Sequence, residues 1–226
     1  MHRPLQHTNY TTKLKVCGMG TPDNILEIAS LKPDYLGFIF YESSPRNFNN
    51  EIPVLSPEIK KTGVFVNARL DFIKNKTKEY SFDAIQLHGE ESPEFCKELR
   101  TSFLKENVEI ELIKVFSIIE EFDFTRLANY EGYVNYFLFD TKGKNKGGNG
   151  YSFNWEILKN YPSSTPFFLS GGIGVDDIEK LKSLKDHFKT EGKQHLLYAI
   201  DVNSKFEDSP GVKNKIMLEK FMAGFY

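Results

Sequence analysis

Two side chains in this sequence have the chemistry of a base and an acid. Cys17 closes the apolar run Lys13–Cys17 and precedes Gly18, whose missing Cβ lets the chain turn sharply. A free cysteine is most often an inert buried thiol. As a thiolate it is a base, provided that a positive field lowers its pKa from about 8.5. Lys15, two residues earlier and so on the same face of an extended chain, can supply such a field. Asp140 closes a second apolar run, Tyr136–Asp140. It either caps or braces a loop or, if burial raises its pKa from about 3.9, donates a proton near neutral pH. Arg46, in Ser43-Ser44-Pro45-Arg46, sits on a turn stiffened by proline, and its guanidinium can grip a carboxylate with two hydrogen bonds. His88 follows a further apolar run and is expected at the edge of a pocket. Cys96 falls inside a helical pattern and reads as structural.

Two glycine-containing or polar turns point to an anion. Ser170-Gly171-Gly172-Ile173-Gly174 and Asp201-Val202-Asn203-Ser204 each leave a short apolar run. Glycines let a backbone approach a phosphate, and N–H groups at a helix start can hold it. The segment from Thr141 to Gly150 has four glycines and three lysines, and reads either as a mobile loop over a site or as plain loop.

These residues must be positioned by something, and the rest of the sequence supplies it. Eight short apolar runs suit buried parallel strands: Lys13–Cys17, Tyr35–Phe40, Thr62–Val66, Ala84–Leu87, Glu111–Phe116, Tyr136–Asp140, Pro166–Ser170 and Leu197–Asp201. Helical patterns lie between them. Thr21-Pro22-Asp23 and Ser92-Pro93-Glu94 each offer a cap residue and a first-turn proline. Val175 to Leu184 and Val212 to Phe221 carry apolar residues at helical spacing, while the second and fifth helices rest on alternation alone. The expected fold is α/β, a closed (β/α)8 TIM barrel in one domain over residues 13–226, preceded by a leader over 1–12; an open doubly wound sheet is the alternative. A barrel gathers its chemistry at the C-terminal ends of the strands, where the residues above lie, and its last two loops are a frequent phosphate site.

Composition narrows the class. The chain has 226 residues, enough for one sizeable core, with 40% hydrophobic residues including 20 Phe and 11 Tyr. Lysine and arginine (29) nearly balance aspartate and glutamate (31), without a basic stripe, so no nucleic-acid partner is expected. Two cysteines without ligand spacing argue against a disulfide framework and a metal site. No apolar run approaches membrane-spanning length and no signal core opens the chain, so a cytoplasmic enzyme is expected. An acid and a base without a metal suit proton transfer such as isomerisation of a phosphorylated small molecule.

Several segments together resemble the phosphoribosylanthranilate isomerase family. They are Lys15-Val16-Cys17-Gly18-Met19, Gly37-Phe38-Ile39-Phe40 with Ser44-Pro45-Arg46, Gly63-Val64-Phe65-Val66-Asn67, Ile85-Gln86-Leu87-His88-Gly89, Phe139-Asp140-Thr141 with Gly147-Gly148-Asn149-Gly150, Leu169-Ser170-Gly171-Gly172-Ile173, and Asp201-Val202-Asn203-Ser204 with Pro210-Gly211-Val212-Lys213. They occur in order from about Lys13 to Phe221. The resemblance implies an Amadori rearrangement that uses no cofactor, with Asp140 as general acid and Cys17 as general base. It also implies that Arg46 binds the anthranilate carboxylate, that Gly171, Gly172, Asn203 and Ser204 hold the phosphate, that Asp201 lies near the sugar, and that His88 lines the pocket. Asn149 stands where the family usually has Thr, and Asn203-Ser204-Lys205 where it has Ser-Ser-Gly, so the phosphate loop is expected to differ in detail. The related barrel isomerase of histidine biosynthesis is expected to carry an aspartate at the end of its first strand, which Cys17 argues against. A barrel that only binds a phosphorylated ligand would have no use for both Cys17 and Asp140. Asp140→Asn and Cys17→Ser are each expected to cut turnover by orders of magnitude in a steady-state assay, the first while still binding product; near-normal rates would remove the residue concerned from the mechanism.

Overall fold

A computed structural model describes residues 10–118, 121–141 and 154–226. Eight parallel strands close into a barrel in sequence order: β1 (Lys13–Cys17), β2 (Tyr35–Phe40), β3 (Lys60–Phe65), β4 (Ala84–Leu87), β5 (Glu111–Ile118), β6 (Tyr136–Thr141), β7 (Phe167–Leu169) and β8 (Leu197–Val202). The closed barrel is as expected, and β1, β2 and β4 have the expected bounds. Most of the expected 1–12 leader and the glycine-rich 142–150 segment, Asn149 included, lie outside the described residues. No helix among the described residues is long and apolar enough to cross a membrane.

Among the described residues five α-helices surround the barrel: α1 (Pro22–Ala29), α2 (Leu70–Tyr80), α3 (Pro93–Lys105), α4 (Ile178–Thr190) and α5 (Lys215–Phe225). Ser92 caps α3 as its sequence suggests, its hydroxyl accepting from Phe95 N at 3.2 Å. The two faint helices are not α-helical. After β2 the chain instead loops round to lie parallel beside the strand at an isolated bridge between Ile39 and Asn47: Phe48 N donates to Ile39 O at 2.7 Å, and the buried Phe48 ring packs on Phe38 and Phe40. Pro45, Pro53 and Pro57 in that connection disfavour a continuous helix. After β5 there is a 3-10 turn, Phe124–Asn129, capped by Asp123. The expected last helix also starts later. Residues Glu207–Ser209 (β9) and Val212–Lys213 (β10) form an antiparallel hairpin, and α5 begins only after Asn214, whose Oδ1 accepts from Met217 N at 2.9 Å. Likewise Val175–Asp177 is a 3-10 turn ahead of α4.

The strands alternate between two environments, since successive side chains point to opposite faces. Leu36, Phe38, Ile85, Leu87, Leu112, Phe137, Phe139 and Leu169 face the helices. Tyr35, Ala84, Ile113, Val115, Leu138, Phe168 and Ala199 fill the barrel. The lower end is closed by hydrogen-bonded aromatics: Tyr35 OH donates to Glu111 Oε2 at 3.0 Å and lies 2.9 Å from Tyr198 OH, while Lys60 Nζ meets Glu111 Oε1 at 2.6 Å. Phe168 packs above them, with ring centroids 5.4 Å from Tyr35, 5.3 Å from Tyr136 and 5.4 Å from Tyr198. With its floor blocked, this barrel has only its strand C-terminal mouth for chemistry. Phe168→Ala would open a cavity in this layer and is expected to cost about 3–5 kcal/mol, read as a lowered urea midpoint.

Candidate active site

Parallel register brings the first and last strands together at the mouth. Lys15 stands opposite Tyr35 on one side and Asp201 on the other, and Cys17 stands opposite Gly37. Lys15 Nζ donates to Asp201 Oδ1 at 2.9 Å, both side chains being almost fully buried. Burial acts to lower the Lys15 pKa, but the Asp201 carboxylate and Cys17 more than restore it, so this lysine stays an ammonium. It also reaches the Cys17 sulfur. The positive field expected from Lys15 is therefore present, but it does not win. Burial pushes the Cys17 thiol above its usual range, against the pull of Lys15 and Lys213, with Asp201 adding to the rise. The lowered pKa that the thiolate reading asks for is not found: desolvation of the sulfur outweighs the charges beside it.

Space for that sulfur comes from the neighbouring strand. A Cβ added to Gly37 would stand 2.8 Å from Cys17 Sγ and 3.1 Å from Cys17 Cα. Gly18, at φ +76°, then turns the chain away. A Cβ there would meet Asn203 Oδ1 at 2.7 Å and Arg46 Cδ at 2.8 Å, so the loops after β1, β2 and β8 converge on this turn.

Asp140 lies at the end of β6, on the same inner face as Leu138. Its carboxylate accepts from Thr141 N at 2.9 Å through Oδ1, and His88 Nε2 lies 3.3 Å from Oδ2. The side chain is 24% exposed, at the rim and open to a ligand, so the burial that the proton-donor reading asks for is only partial. Gln86 Nε2 is 3.1 Å from His88 Nδ1. With Gln86 as donor, Nδ1 is the acceptor and the Nε2 proton faces Asp140. The loop bearing His88 is braced from beneath: Lys114 Nζ donates to Gly89 O at 2.7 Å and pairs with buried Glu91 at 2.8 Å, and Glu91 accepts from Gly89 N and Asn67 N. Asp201 lies close enough to Asp140 and His88 to feel the charge of both. Cys17, Asp201, His88 and Asp140 thus share one mouth.

Arg46 has a different immediate partner from the one its sequence suggests. Its two-bond grip is on Glu207 of its own chain, with Nε 2.8 Å from Oε1 and Nη2 2.6 Å from Oε2. Its Nη1 edge takes no part in that grip. Burial alone would raise the Glu207 pKa, but Arg46 and Lys213 outweigh it and hold this carboxyl below its ordinary value. The last two strand loops also meet. Gly171 and Gly172 both have positive φ, +96° and +71°, and a Cβ on Gly171 would collide with Thr141. Lys205 Cβ lies 3.6 Å from where a Cβ on Gly174 would be, bringing the Ser204–Phe206 turn beside the β7 loop. Asn203 Oδ1 is engaged by Lys213 Nζ at 2.6 Å, leaving its Nδ2 group as a donor. Every site residue singled out in the sequence thus falls at the barrel's C-terminal end. Glu207 and Lys213 were missed as functional; their one signal was Lys213 closing the Pro210-Gly211-Val212-Lys213 segment.

The family model described as N-(5'phosphoribosyl)anthranilate (PRA) isomerase matches residues 14–223. The chain belongs to this isomerase family. An N-(5'-phosphoribosyl)anthranilate isomerase from Parabacteroides distasonis is 42% identical over 218 residues, covering 92% of this chain and 91% of that protein. The phosphoribosyl anthranilate isomerase crystal structure from Thermus thermophilus superposes with a TM-score of 0.78 at 25% identity, covering 94% of this chain and 98% of the other. A second structure of a family member, 26% identical with a TM-score of 0.71 and covering 95% and 98%, is a complex with reduced 1-(o-carboxyphenylamino)-1-deoxyribulose 5-phosphate. The packing of Cys17 against Gly37 leaves no room for a larger residue at position 37. Gly37→Ala is expected to displace the sulfur and lower kcat by at least about tenfold. The urea midpoint should register the overpacking as no more than about 1–3 kcal/mol.

Proposed function

We propose that this protein isomerises N-(5'-phosphoribosyl)anthranilate to 1-(2-carboxyphenylamino)-1-deoxyribulose 5-phosphate, an Amadori rearrangement of tryptophan biosynthesis, within a single barrel domain spanning residues 13–226. The observation that carries this reading is the facing of Cys17 and Asp140 across one mouth, in a chain whose family match spans residues 14–223. Asp140 protonates the ribose ring oxygen. The C1–O bond breaks as the anthranilate nitrogen lone pair forms C1=N, giving the open iminium. Cys17 Sγ, as thiolate, removes the proton from C2, and that electron pair forms the C1=C2 bond of the enolamine while the nitrogen is neutralised. The C2 hydroxyl then gives up its proton as C1 gains one, leaving the aminoketone. The substrate nitrogen is itself the electron sink, so acid and base suffice.

The other residues bind and orient. Arg46 offers its Nη1 edge to the anthranilate carboxylate while Glu207 fixes the opposite edge. The phosphate is held by backbone N–H groups around Gly171, Gly172 and Ser204 and by Asn203 Nδ2; the positive φ of both glycines supports a concave backbone there. Asp201 and its Lys15 partner lie beneath the sugar, and His88 keeps Asp140 turned toward it. The raised pKa of Cys17 sets the pH dependence. The thiolate form, and hence kcat/KM, is expected to increase with pH through the ordinary thiol range rather than level off near neutrality. A small-molecule substrate and a cytoplasmic setting accord with this role.

The direct test generates the unstable substrate in place from anthranilate, phosphoribosyl pyrophosphate and the transferase that joins them, and follows the loss of its fluorescence. Enzyme-dependent decay is expected, and is expected to vanish in both Cys17→Ser and Asp140→Asn. Decay no faster than the spontaneous rate, with folded protein, would overturn the assignment.

A further inference from the structure

The β9–β10 hairpin carries a charged side chain to which the rearrangement as written gives no role, Lys213, and it is almost wholly buried. Lys213 Nζ donates to Glu207 Oε1 at 2.5 Å and to Asn203 Oδ1 at 2.6 Å. Its backbone is clamped by Asn24, with N donating to Oδ1 at 2.7 Å and O accepting from Nδ2 at 2.9 Å. The hairpin presses on the turn after Cys17: a Cβ on Gly20 would stand 2.6 Å from Gly211 O. The Lys213 ammonium is thus one hydrogen bond away from the Asn203 oxygen that abuts Gly18. Burying an ammonium costs free energy, and an apolar side chain would fill the same volume without that cost.

The charges near Cys17 do not cancel. Lys15 from β1 is matched by Asp201 from β8, whereas Lys213 from β10 and Arg46 from the loop after β2 share the single carboxylate of Glu207. Among the strongest electrostatic influences on Cys17 itself, Lys15 and Lys213 favour the thiolate and Asp201 opposes it, a surplus of one positive charge beside a sulfur that must become an anion. We propose that Lys213 is a positioning residue for the isomerisation: held by Glu207 and Asn203, it supplies the unbalanced positive charge that stabilises the Cys17 thiolate, while Glu207 aims Arg46. The inference rests on Cys17 being the base. Burial pushes Lys213 down to about 8 against the pull of Glu207 and Cys17, so its charge is present at neutral pH, and its loss above about 8 opposes the rise of kcat/KM that ionisation of Cys17 gives.

The test is the rate at which iodoacetamide alkylates Cys17, read from the mass of its peptide across pH, beside kcat and KM for the same proteins. Lys213→Met is expected to move the alkylation profile up by about one pH unit and to lower kcat more than KM changes, with Lys213→Arg restoring both. Glu207→Gln is expected to do the opposite to the sulfur, speeding alkylation because one negative charge is gone, while KM rises as Arg46 is released. A folded Lys213→Met protein with the wild-type alkylation profile would overturn the proposal. So would unchanged or slower alkylation in Glu207→Gln, an outcome that stands even if Lys213→Met does not fold. Should the wild type turn over no substrate, the functional reading fails, and the alkylation profiles still decide whether Lys213 acts on Cys17.

Discussion

The interior of this barrel is organised around one ion pair. Lys15 and Asp201 come from the first and last strands, 186 residues apart, and meet at 2.9 Å out of contact with water. Neither charge is tolerable alone at that depth, because removing one partner of a buried pair costs about 3–5 kcal/mol. The pair therefore fixes the β1–β8 register, and a one-residue slip would send both side chains to the helix-facing side. With the register fixed, Cys17 must lie beside Gly37, and the loops that follow β1, β2 and β8 must converge.

The barrel is stratified as a result. Its floor is aromatic and hydrogen-bonded, with Tyr35 and Tyr136 donating to Glu111 and Tyr198 bonded to the Tyr35 hydroxyl. Its middle is packed by Phe168, Leu138, Ile113 and Val115. The upper layer is charged, with Lys15 paired to Asp201, Arg46 and Lys213 sharing Glu207, and His88 beside Asp140. The apolar layers beneath keep water from reaching the polar one from below, which strengthens its electrostatic interactions.

Much of this was legible in the sequence because strands buried on both faces are written as short apolar runs, and those runs ended in the residues that matter. Cys17, His88, Asp140 and Asp201 could be placed at the mouth from that alone. What was illegible depended on contacts between distant segments. The connection after β2 reads weakly as helix because Phe48 is spent on covering Phe38 and Phe40, a choice visible only once the strand is there. Val212 and Lys213 continue a helical pattern, yet Asn24, almost two hundred residues earlier, takes up the backbone of Lys213. The Arg46 fork suggested a ligand carboxylate, and the nearest carboxylate is supplied by Glu207, a residue on which the sequence pattern put no weight. The direction of the thiol pKa was illegible because a neighbouring lysine is apparent from spacing, whereas the depth of burial is not.

The closure of the first strand by the last has a consequence for how the chain comes into being. During synthesis, β1 emerges long before Asp201 exists, carrying a lysine whose native position is dry. Until the final fifth of the chain is made, Lys15 gains nothing by turning inward, and the turn at Gly18 has neither Asn203 nor the hairpin to lean on. The surroundings of Cys17 are assembled only once the last strand and the hairpin after it have followed. A contact this non-local makes for slow ring closure, and it ties the formation of the mouth to the carboxy-terminal strand rather than to the units made first.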